Sequence, residues 1–397
     1  MTYSTLQHFA LCSSSTPALF CRTFTIAVCL SATLFFSAAV SGQTVNSDKQ
    51  NFVIETVAQG LSIPWGMAAL PDGGILITER TGTLRLLNSD GKLHPDPIIN
   101  TPSVATGGQG GLLDVAIHPD YQNNGWIYLS FSSAKARGEA GRGANTALIR
   151  GKIINHEFIE QKLIYKALPN YSGGRHFGSR IAFDSDNHVY FSVGDRGKRD
   201  EAQTLENPLG KVFRLHDDGR IPANNPFIST LNALPAVWSW GHRNPQGLEF
   251  HPQTGALWSH EHGPKGGDEL NLIIQGQNYG WPTVTYGVNY SGTKITNEVS
   301  RAGMVSPVTY WVPSIAPGGM AFVAGDTYTG WKNNLLVGSL KFQQLHRLEF
   351  NSSGEVTGRE VLLDGIGRVR AIEQAADGLM YIAIENGGRI IRLRPNS

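Results

Sequence analysis

Residues 180–195 read RIAFDSDNHVYFSVGD. A short apolar run, a turn of Asp, Ser and Asn, and a second run rich in Val, Tyr and Phe make the pattern of a tight β-hairpin. The pattern returns as MAALPDGGILITER (67–80), VAIHPDYQNNGWIYLSF (115–131), GLEFHPQTGALWSHEHG (247–263), GMAFVAGDTYTGWKNNLLVGSL (319–340) and AIEQAADGLMYIAIEN (371–386). A third strand-like piece follows, as in GTLRLLN, KVFRLHDDG, QLHRLEFN and GRIIRLRP. The interval is roughly 50 to 70 residues, longer than the usual blade period, and helical periodicity is nearly absent. Six units of about four antiparallel strands predict an all-β, six-bladed β-propeller over residues 43–397. NFVIETVAQGL (51–61) offers a strand to close the ring. A pair of β-sandwiches is the alternative, but sandwiches do not need the same hairpin six times. SSAKARGEAGRGANT (132–146) reads as a mobile surface insertion.

Composition agrees with many short strands. The 46 Gly and 20 Pro occur without low complexity, which calls for many turns. Arg22 is the one charged residue among the first 42, and without it the remaining 32 basic residues match the 32 acidic ones. A neutral body gives no reason to expect nucleic acid or a charged membrane surface as partner. The segment RTFTIAVCLSATLFFSAAVSGQ, one Arg followed by an apolar run and small residues, reads as a secretory signal over residues 1–42. An uncleaved anchor is the alternative, since the run approaches spanning length. Cleavage implies a periplasmic or secreted protein with no stable membrane insertion. Cys12, Cys21 and Cys29 all lie in this leader, so the exported body has no thiol for disulfides or catalysis.

In a propeller, loops on one face build the site. Gln109 sits among four glycines in TGGQGGLLDVAIHP, where the backbone could approach a ligand. His176, in SGGRHFGSRIAF, precedes one hairpin strand, and Asp195 ends the next. If they meet, the carboxylate fixes the imidazole tautomer and raises its basicity, as a general base needs. WGHRNPQG (240–247) places His242, Arg243 and Asn244 on a loop stiffened by Pro245, which suits a planar anion. In HEHGPKGGDELNLIIQGQNYGWP (260–282), Glu261, Asp268 and Glu269 are hard oxygen donors, Gly263 and Pro264 offer carbonyls, and Tyr279 follows. Oxygen donors without cysteine favour Ca²⁺ over zinc. Lys341 ends LLVGSLK, and Arg368 and Arg370 lie in IGRVRAI. With Arg243 they occupy equivalent places in three repeats, so a closed ring brings them to one mouth, where arginine grips carboxylates.

These stretches resemble the soluble quinoprotein glucose/sorbosone dehydrogenase family, in its periplasmic aldose sugar dehydrogenase branch. The carriers are IPWGMAALPDGGILITER, GGQGGLLDVAIHPDY, RHFGSRIAF, VGDRG, GHRNPQGLEF, EHGPKGGDELNLI, NYGWP and IGRVRAI, spread over nearly the whole body. The resemblance implies pyrroloquinoline quinone (PQQ), a flat ortho-quinone with three carboxylates, bound with Ca²⁺ on the top face. It implies Arg243 and Asn244 in the cofactor cradle, Lys341, Arg368 and Arg370 on its carboxylates, and Gln109 on the cofactor or its metal. Gly263 and Pro264 would give carbonyls to that Ca²⁺, and Glu269 and Tyr279 match positions tied to a second, structural Ca²⁺. His176 would take the proton of an aldose's anomeric hydroxyl while hydride leaves C1 for PQQ, with Asp195 steadying the imidazolium and Arg243 stabilising charge on the quinone. The product is a lactone, and electrons pass to an external acceptor, a quinone, cytochrome or dye. GGQGG is no dinucleotide loop, since no helix follows it.

One departure bears on specificity. The glucose-specific branch has an aromatic in the loop matching WVPSIAP (311–317), where this chain has Val312. That favours a wider sugar site. Two rivals remain at this level. A Ca²⁺-dependent propeller lactonase would hold a central metal on Glu, Asn and Asp without a cationic ring. A non-catalytic extracellular binding propeller would be expected to lack His176 or the arginine pair.

Overall fold

The computed structural model describes residues 43–396, and the leader reading of residues 1–42 lies outside them. Each quoted hairpin is an antiparallel pair that founds its own sheet. Blade 1 is Pro64–Ala69, Ile75–Glu79 and Thr83–Leu87, and blade 2 is Leu112–Ile117, Ile127–Ala134, Ala144–Ile154 and Glu157–Lys166. Blade 3 is Ile181–Phe183, His188–Val193, Lys211–His216 and Val237–Trp240, and blade 4 is Pro245–Phe250, Leu257–Glu261, Asp268–Leu272 and Thr309–Trp311. Blade 5 is Pro317–Phe322, Leu335–Ser339, Gln344–Phe350 and Val356–Leu363. Blade 6 is Val369–Gln374, Met380–Ile384 and Arg389–Pro395, completed by Phe52–Ala58 and Gln43–Val45. Phe52–Ala58 runs antiparallel to Arg389–Pro395, with Phe52 opposite Pro395, so the two ends of the described chain close one sheet. The first strands of successive blades touch around the whole ring, blade 6 returning to blade 1. This is the six-bladed β-propeller that the hairpin count predicts.

The structure corrects two details. Blade 1 has three strands, not four. Between Leu87 and blade 2 the chain makes only single bridges, Leu87 to Leu93, Leu84 to Ile98 and Ile99 to Glu157. Pro95 and Pro97 in this stretch have no N–H to give a ladder. Residues 132–146 are not a free loop. The strands Ile127–Ala134 and Ala144–Ile154 pair up to Ala134 opposite Ala144, which leaves residues 135–143 as the connection. Glu139 in that connection takes Lys166 Nζ at 2.7 Å and Asn170 Nδ2 at 2.9 Å.

The apolar core is divided between the blades. Ile127, Leu129 and Phe158 of blade 2 pack with Leu76 and Leu84 of blade 1. Phe191 and Phe213 of blade 3 pack with Leu148 of blade 2. Equivalent clusters fill the other four gaps. Period-two alternation alone buries one sheet face, whereas here both faces of most inner strands are buried, as in Ile75–Glu79 and Leu335–Ser339.

At the centre of the ring stands Arg180. Its Nη1 meets Asp114 Oδ1 of blade 2 at 3.0 Å, its Nε donates to the Gln246 carbonyl of blade 4 at 2.7 Å, and its Nη2 donates to the Arg370 carbonyl of blade 6 at 2.8 Å. Its guanidinium lies 4.2 Å from the Trp65 ring centroid in blade 1. Asp114 also accepts the Ile181 amide of blade 3 at 2.9 Å. One guanidinium thus ties blades 1, 2, 4 and 6 to the strand that follows it in blade 3. Replacing Asp114 by Ala leaves that buried charge without its counter-ion and should cost about 3–5 kcal/mol. Denaturant unfolding measures this, and an unchanged midpoint would refute the pillar role.

Candidate functional site

The loops leading into the first strands share one face with the turns that follow the second strands. His176 lies on such a loop, before Ile181–Phe183, with left-handed backbone at φ 59°, an unfavourable conformation for a non-glycine residue. It is held from three sides. Its amide donates to Gln109 Oε1 at 2.7 Å, and its Nδ1 lies 2.6 Å from Asp195 Oδ1. On the far side, the Arg196 guanidinium stacks 3.5 Å from the Phe177 ring centroid and donates to the Arg175 and Gly173 carbonyls. Asp195 is fully engaged: Trp281 Nε1 donates to Oδ2 at 2.8 Å and the Gly197 amide to Oδ1 at 2.7 Å.

A carboxylate can only accept, so His176 Nδ1 carries the proton and Nε2 keeps its lone pair. Burial pushes the Asp195 carboxyl up, but the His176 hydrogen bond and charge and the Gly197 amide outweigh it and hold the group below its usual value. Burial lowers the His176 pKa. The Asp195 bond pulls the other way, and the Arg243 charge pushes it down further. The imidazole is therefore neutral at neutral pH, with the lone pair of Nε2 available.

The loop 240–247 is organised by Glu261. Its Oε1 meets His242 Nδ1 at 3.0 Å, and its Oε2 accepts the amides of Arg243 at 2.5 Å and Asn244 at 3.3 Å. His242 also reaches Ser239 Oγ at 2.9 Å and stacks on Tyr279 with centroids 4.6 Å apart. His242 is therefore a structural spacer. Arg243 and Asn244 face inward. The Arg243 carbonyl accepts the Asp195 amide at 2.8 Å, which joins this loop to the His176 dyad. Arg243 Nη1 donates to the His262 and Gly263 carbonyls at 2.9 and 2.8 Å, and its buried Nε has no partner. Asn244 Oδ1 accepts the Gly178 amide at 3.2 Å.

Next to this dyad lies a cavity lined by Gln109, Asn244, Arg80, Arg368, Arg370 and Glu385 among others. Arg370 Nη2 meets Glu385 Oε2 at 2.9 Å and its Nη1 meets Gln246 Oε1 at 3.1 Å. Arg368 Nε stands 3.5 Å from the same carboxylate and its Nη1 donates to the Leu340 carbonyl at 3.1 Å. Three arginines against one glutamate leave the walls cationic. Lys341 does not join them: it is exposed, with Nζ 4.9 Å above the Phe342 ring centroid. Three of the four glycines around Gln109, Gly108, Gly110 and Gly111, admit neighbouring protein, and only Gly107 borders open space. A Cβ on Gly108 would stand 2.3 Å from the Gly174 carbonyl oxygen, and Gly111 presses on the Arg80 carbonyl.

The oxygen donors of 260–282 divide into two groups. Asp268 is used up by the amides of Gly263, Ile315 and Ala316 and by Ser314 Oγ. Glu261 is used up by the loop it holds, so these two are not free ligands as the sequence suggests. The Gly263 carbonyl carries the Arg243 bond, and Pro264 packs beside Gly287. Glu269 has only Asn271 Nδ2 at 3.3 Å, and burial and the Glu261 charge push its carboxyl well above the usual range. Asn271 Oδ1 beside it is buried and unpartnered. This pair of acceptors suits a cation. The Tyr279 hydroxyl is spent on the Leu272 carbonyl and the Ile274 amide, so only its backbone carbonyl could serve a metal.

Sequence reading missed Arg80, Gln246, Trp281 and Glu385. Glu385 had a signal, since it directly follows the second strand of its repeat as Asp195 and Glu261 follow or end theirs. Trp281 had none. An NMR titration should find the His176 imidazole charging only below 6.5, the ordinary histidine value. Asp195→Asn should move its midpoint lower still, because the carboxylate is the contact that favours imidazolium. A midpoint above 6.5 would contradict the neutral-base geometry.

The glucose/sorbosone dehydrogenase profile matches residues 61–392. Aldose sugar dehydrogenase YliI of Escherichia coli (strain K12) is 37% identical over 376 residues, 93% of this chain and 97% of that protein. The crystal structure of the soluble aldose sugar dehydrogenase from Escherichia coli in the apo-form superposes with a TM-score of 0.81 at 35% identity, covering 87% of this chain and 100% of that one. The PQQ-bound form of aldose sugar dehydrogenase from Streptomyces coelicolor reaches 0.70 at 27% identity, over 87% of this chain and 98% of that one. With the profile covering most of the body and the same fold in these relatives, the chain belongs to the glucose/sorbosone dehydrogenase family.

Proposed function

We propose that this protein oxidises an aldose at C1 to the lactone, with PQQ and Ca²⁺ as its cofactors, and passes the electrons to an external acceptor. The observation that carries the reading is the 2.6 Å bond between His176 and Asp195 beside a cationic cavity. Bound PQQ supplies a quinone able to accept the hydride of C1. Every other part is the chain's own. Nε2 of His176 takes the proton of the anomeric hydroxyl, and Asp195 stabilises the imidazolium that forms. Trp281 and the Gly197 amide keep that carboxylate in line. Proton removal by such a positioned base contributes about 10²–10⁴ in rate.

The wall residues fit a flat polyanion. Arg368 and Arg370 would hold carboxylates, with Arg80 as a third cation, while Gln109 and Asn244 would donate amide hydrogens. Arg243, with its unpartnered Nε, would hold the edge nearest His176. Lys341 would have to turn inward from its place over Phe342 to share in this. The Gly263 and Pro264 carbonyls would hold the Ca²⁺ at this site, and Glu269 with the Tyr279 carbonyl a second one. A lactonase fits less well, because Glu261 and Asp268 already spend their oxygens on backbone amides. The leader at residues 1–42 supports export to the periplasm or medium.

Reconstitution with PQQ and Ca²⁺ followed by a dye-linked assay over a sugar panel tests the reading, and no sugar-dependent dye reduction would refute it. His176→Ala should keep cofactor binding, read by absorbance, while turnover falls by about 10² or more. Full activity in that variant would remove His176 as the base. Arg243→Ala should weaken cofactor binding and slow turnover together, and normal affinity would remove it from the cradle.

A further inference from the structure

The neutral sum of residues 43–397 hides a separation of charge. In every blade but the fourth, the turn between the first and second strands carries an aspartate, and Asp72, Asp120, Asp186 and Asp377 are exposed there. Lys332 is the only lysine or arginine in these six turns, and it is paired with Asp326. The turns lie on the face opposite the His176 site.

Beside the dyad the sign reverses. The connection 135–143 follows the second strand of blade 2 and carries Lys135, Arg137 and Arg142, all exposed. Its one acid, Glu139, is tied to Lys166 at 2.7 Å. Backbone bonds dock this connection on the loop that leads to His176. The Arg142 amide donates to the Asn170 carbonyl at 3.1 Å, and the Asn170 amide to the Ala140 carbonyl at 3.0 Å. Arg175 is exposed directly before His176, and its Nε lies 2.5 Å from where a Cβ on Gly197 would stand. The Gly197 amide in turn holds Asp195 at 2.7 Å. Lys198 and Arg199 follow, exposed as well. None of these six cations forms an ion pair among the described residues, and only Asp200, Glu201 and Glu206 follow them as exposed acids.

Like charges gathered without counter-charge repel one another and cost stability, so the concentration points to an anionic partner. Its place selects among anions. Oxidation of an aldose to its lactone releases two electrons and two protons. The protons pass to water, and two one-electron acceptors must come to this face for the electrons. A small anion would be gripped in a closed pocket, whereas these side chains stand in solvent on three segments, which suits a brief, steered protein encounter.

We infer that this rim is the docking surface for an acidic one-electron redox protein serving as the external acceptor. The cations beside His176 attract it, and the aspartates of the reverse face turn it away. The inference rests on the oxidation reading for electron flow but not for docking itself.

The test uses the reconstituted protein at saturating glucose with two acceptors of opposite charge: oxidised plastocyanin, which is acidic, and mitochondrial cytochrome c, which is basic. An uncharged dye is the control. Plastocyanin should be reduced about tenfold faster than cytochrome c at ~0.01 M salt, and the advantage should shrink at ~0.15 M salt as screening shortens the reach of the charges. Lys135→Glu, Arg137→Glu and Arg142→Glu together should lower the plastocyanin rate about tenfold at low salt. The dye rate should not change, since none of the three lines the cavity. Reduced plastocyanin accepts no electrons, so its NMR titration with the unloaded protein reads docking alone, and the triple variant should weaken it. Equal and salt-independent rates for the two acceptors, no plastocyanin binding to the unsubstituted chain, or a variant that keeps both rate and binding would overturn the docking surface. Binding to phosphatidylglycerol vesicles with none to plastocyanin would also overturn it, in favour of a membrane. If no sugar is oxidised but plastocyanin binds and the variant weakens it, the oxidation reading fails and the docking surface stands.

Discussion

One bond is repeated around the ring, and the top face depends on it. In each blade a polar side chain near or just past the end of the second strand reaches back to the loop that leads into the first strand or, in blade 6, to the start of that strand. In blade 1 Glu79 accepts the Ser62 amide, and in blade 2 Ser132 accepts the Gly111 amide at 2.7 Å. Asp195 takes His176 in blade 3, and Glu261 takes the Arg243 and Asn244 amides in blade 4. Ser339 donates to the Ile315 carbonyl at 2.8 Å in blade 5, and Glu385 takes Arg370 in blade 6. A buried polar group must find a partner, and here the partner is the loop before the first strand in blades 1 to 5 and the first strand itself in blade 6. The loops that carry function are thereby fixed to rigid strands before any ligand arrives.

The same device yields different chemistry as the residue pair changes. With a serine or a backbone amide as partner, the bond is structural. With Asp195 and an imidazole it defines a tautomer and leaves the lone pair on Nε2. With Glu385 and two arginines it leaves a cationic wall that is only partly neutralised. Burial does the rest by lowering the basicity of His176, so the group is neutral where a base is needed. The strained backbone at His176 persists because Gln109, Asp195 and Arg196 together over-determine its position.

Much of this was legible in the chain. The hairpins at 67–80, 115–131, 180–195, 247–263, 319–340 and 371–386 are six first-and-second strand pairs, and residues 51–61 hold the closing strand. Local turn chemistry carries that information, since Asp, Asn, Gly and Pro between β-rich runs leave few other options. Blade 1 lost its fourth strand to Pro95 and Pro97, a local signal as well. The 132–146 stretch was only partly misread: its ends, 132–134 and 144–146, are paired strand, while 135–143 is an exposed connection. Lys341 was placed with the arginines because repeat position was taken for direction, yet its side chain lies over Phe342.

Sequence alone determined which residue types stand at the strand ends and loops, and so the fold, the family likeness and the residues available for acid–base and anion-binding chemistry. That follows from short-range effects, namely turn propensity, period-two patterning and spacing. Only the tertiary structure decided which of those residues are free. Glu261, Asp268 and the Tyr279 hydroxyl are consumed largely by backbone groups, whereas the Arg243 Nε and the His176 Nε2 are left without partners and Glu269 keeps only Asn271 Nδ2. Which donor meets which acceptor depends on blades brought together by ring closure, across sequence separations that no local pattern encodes.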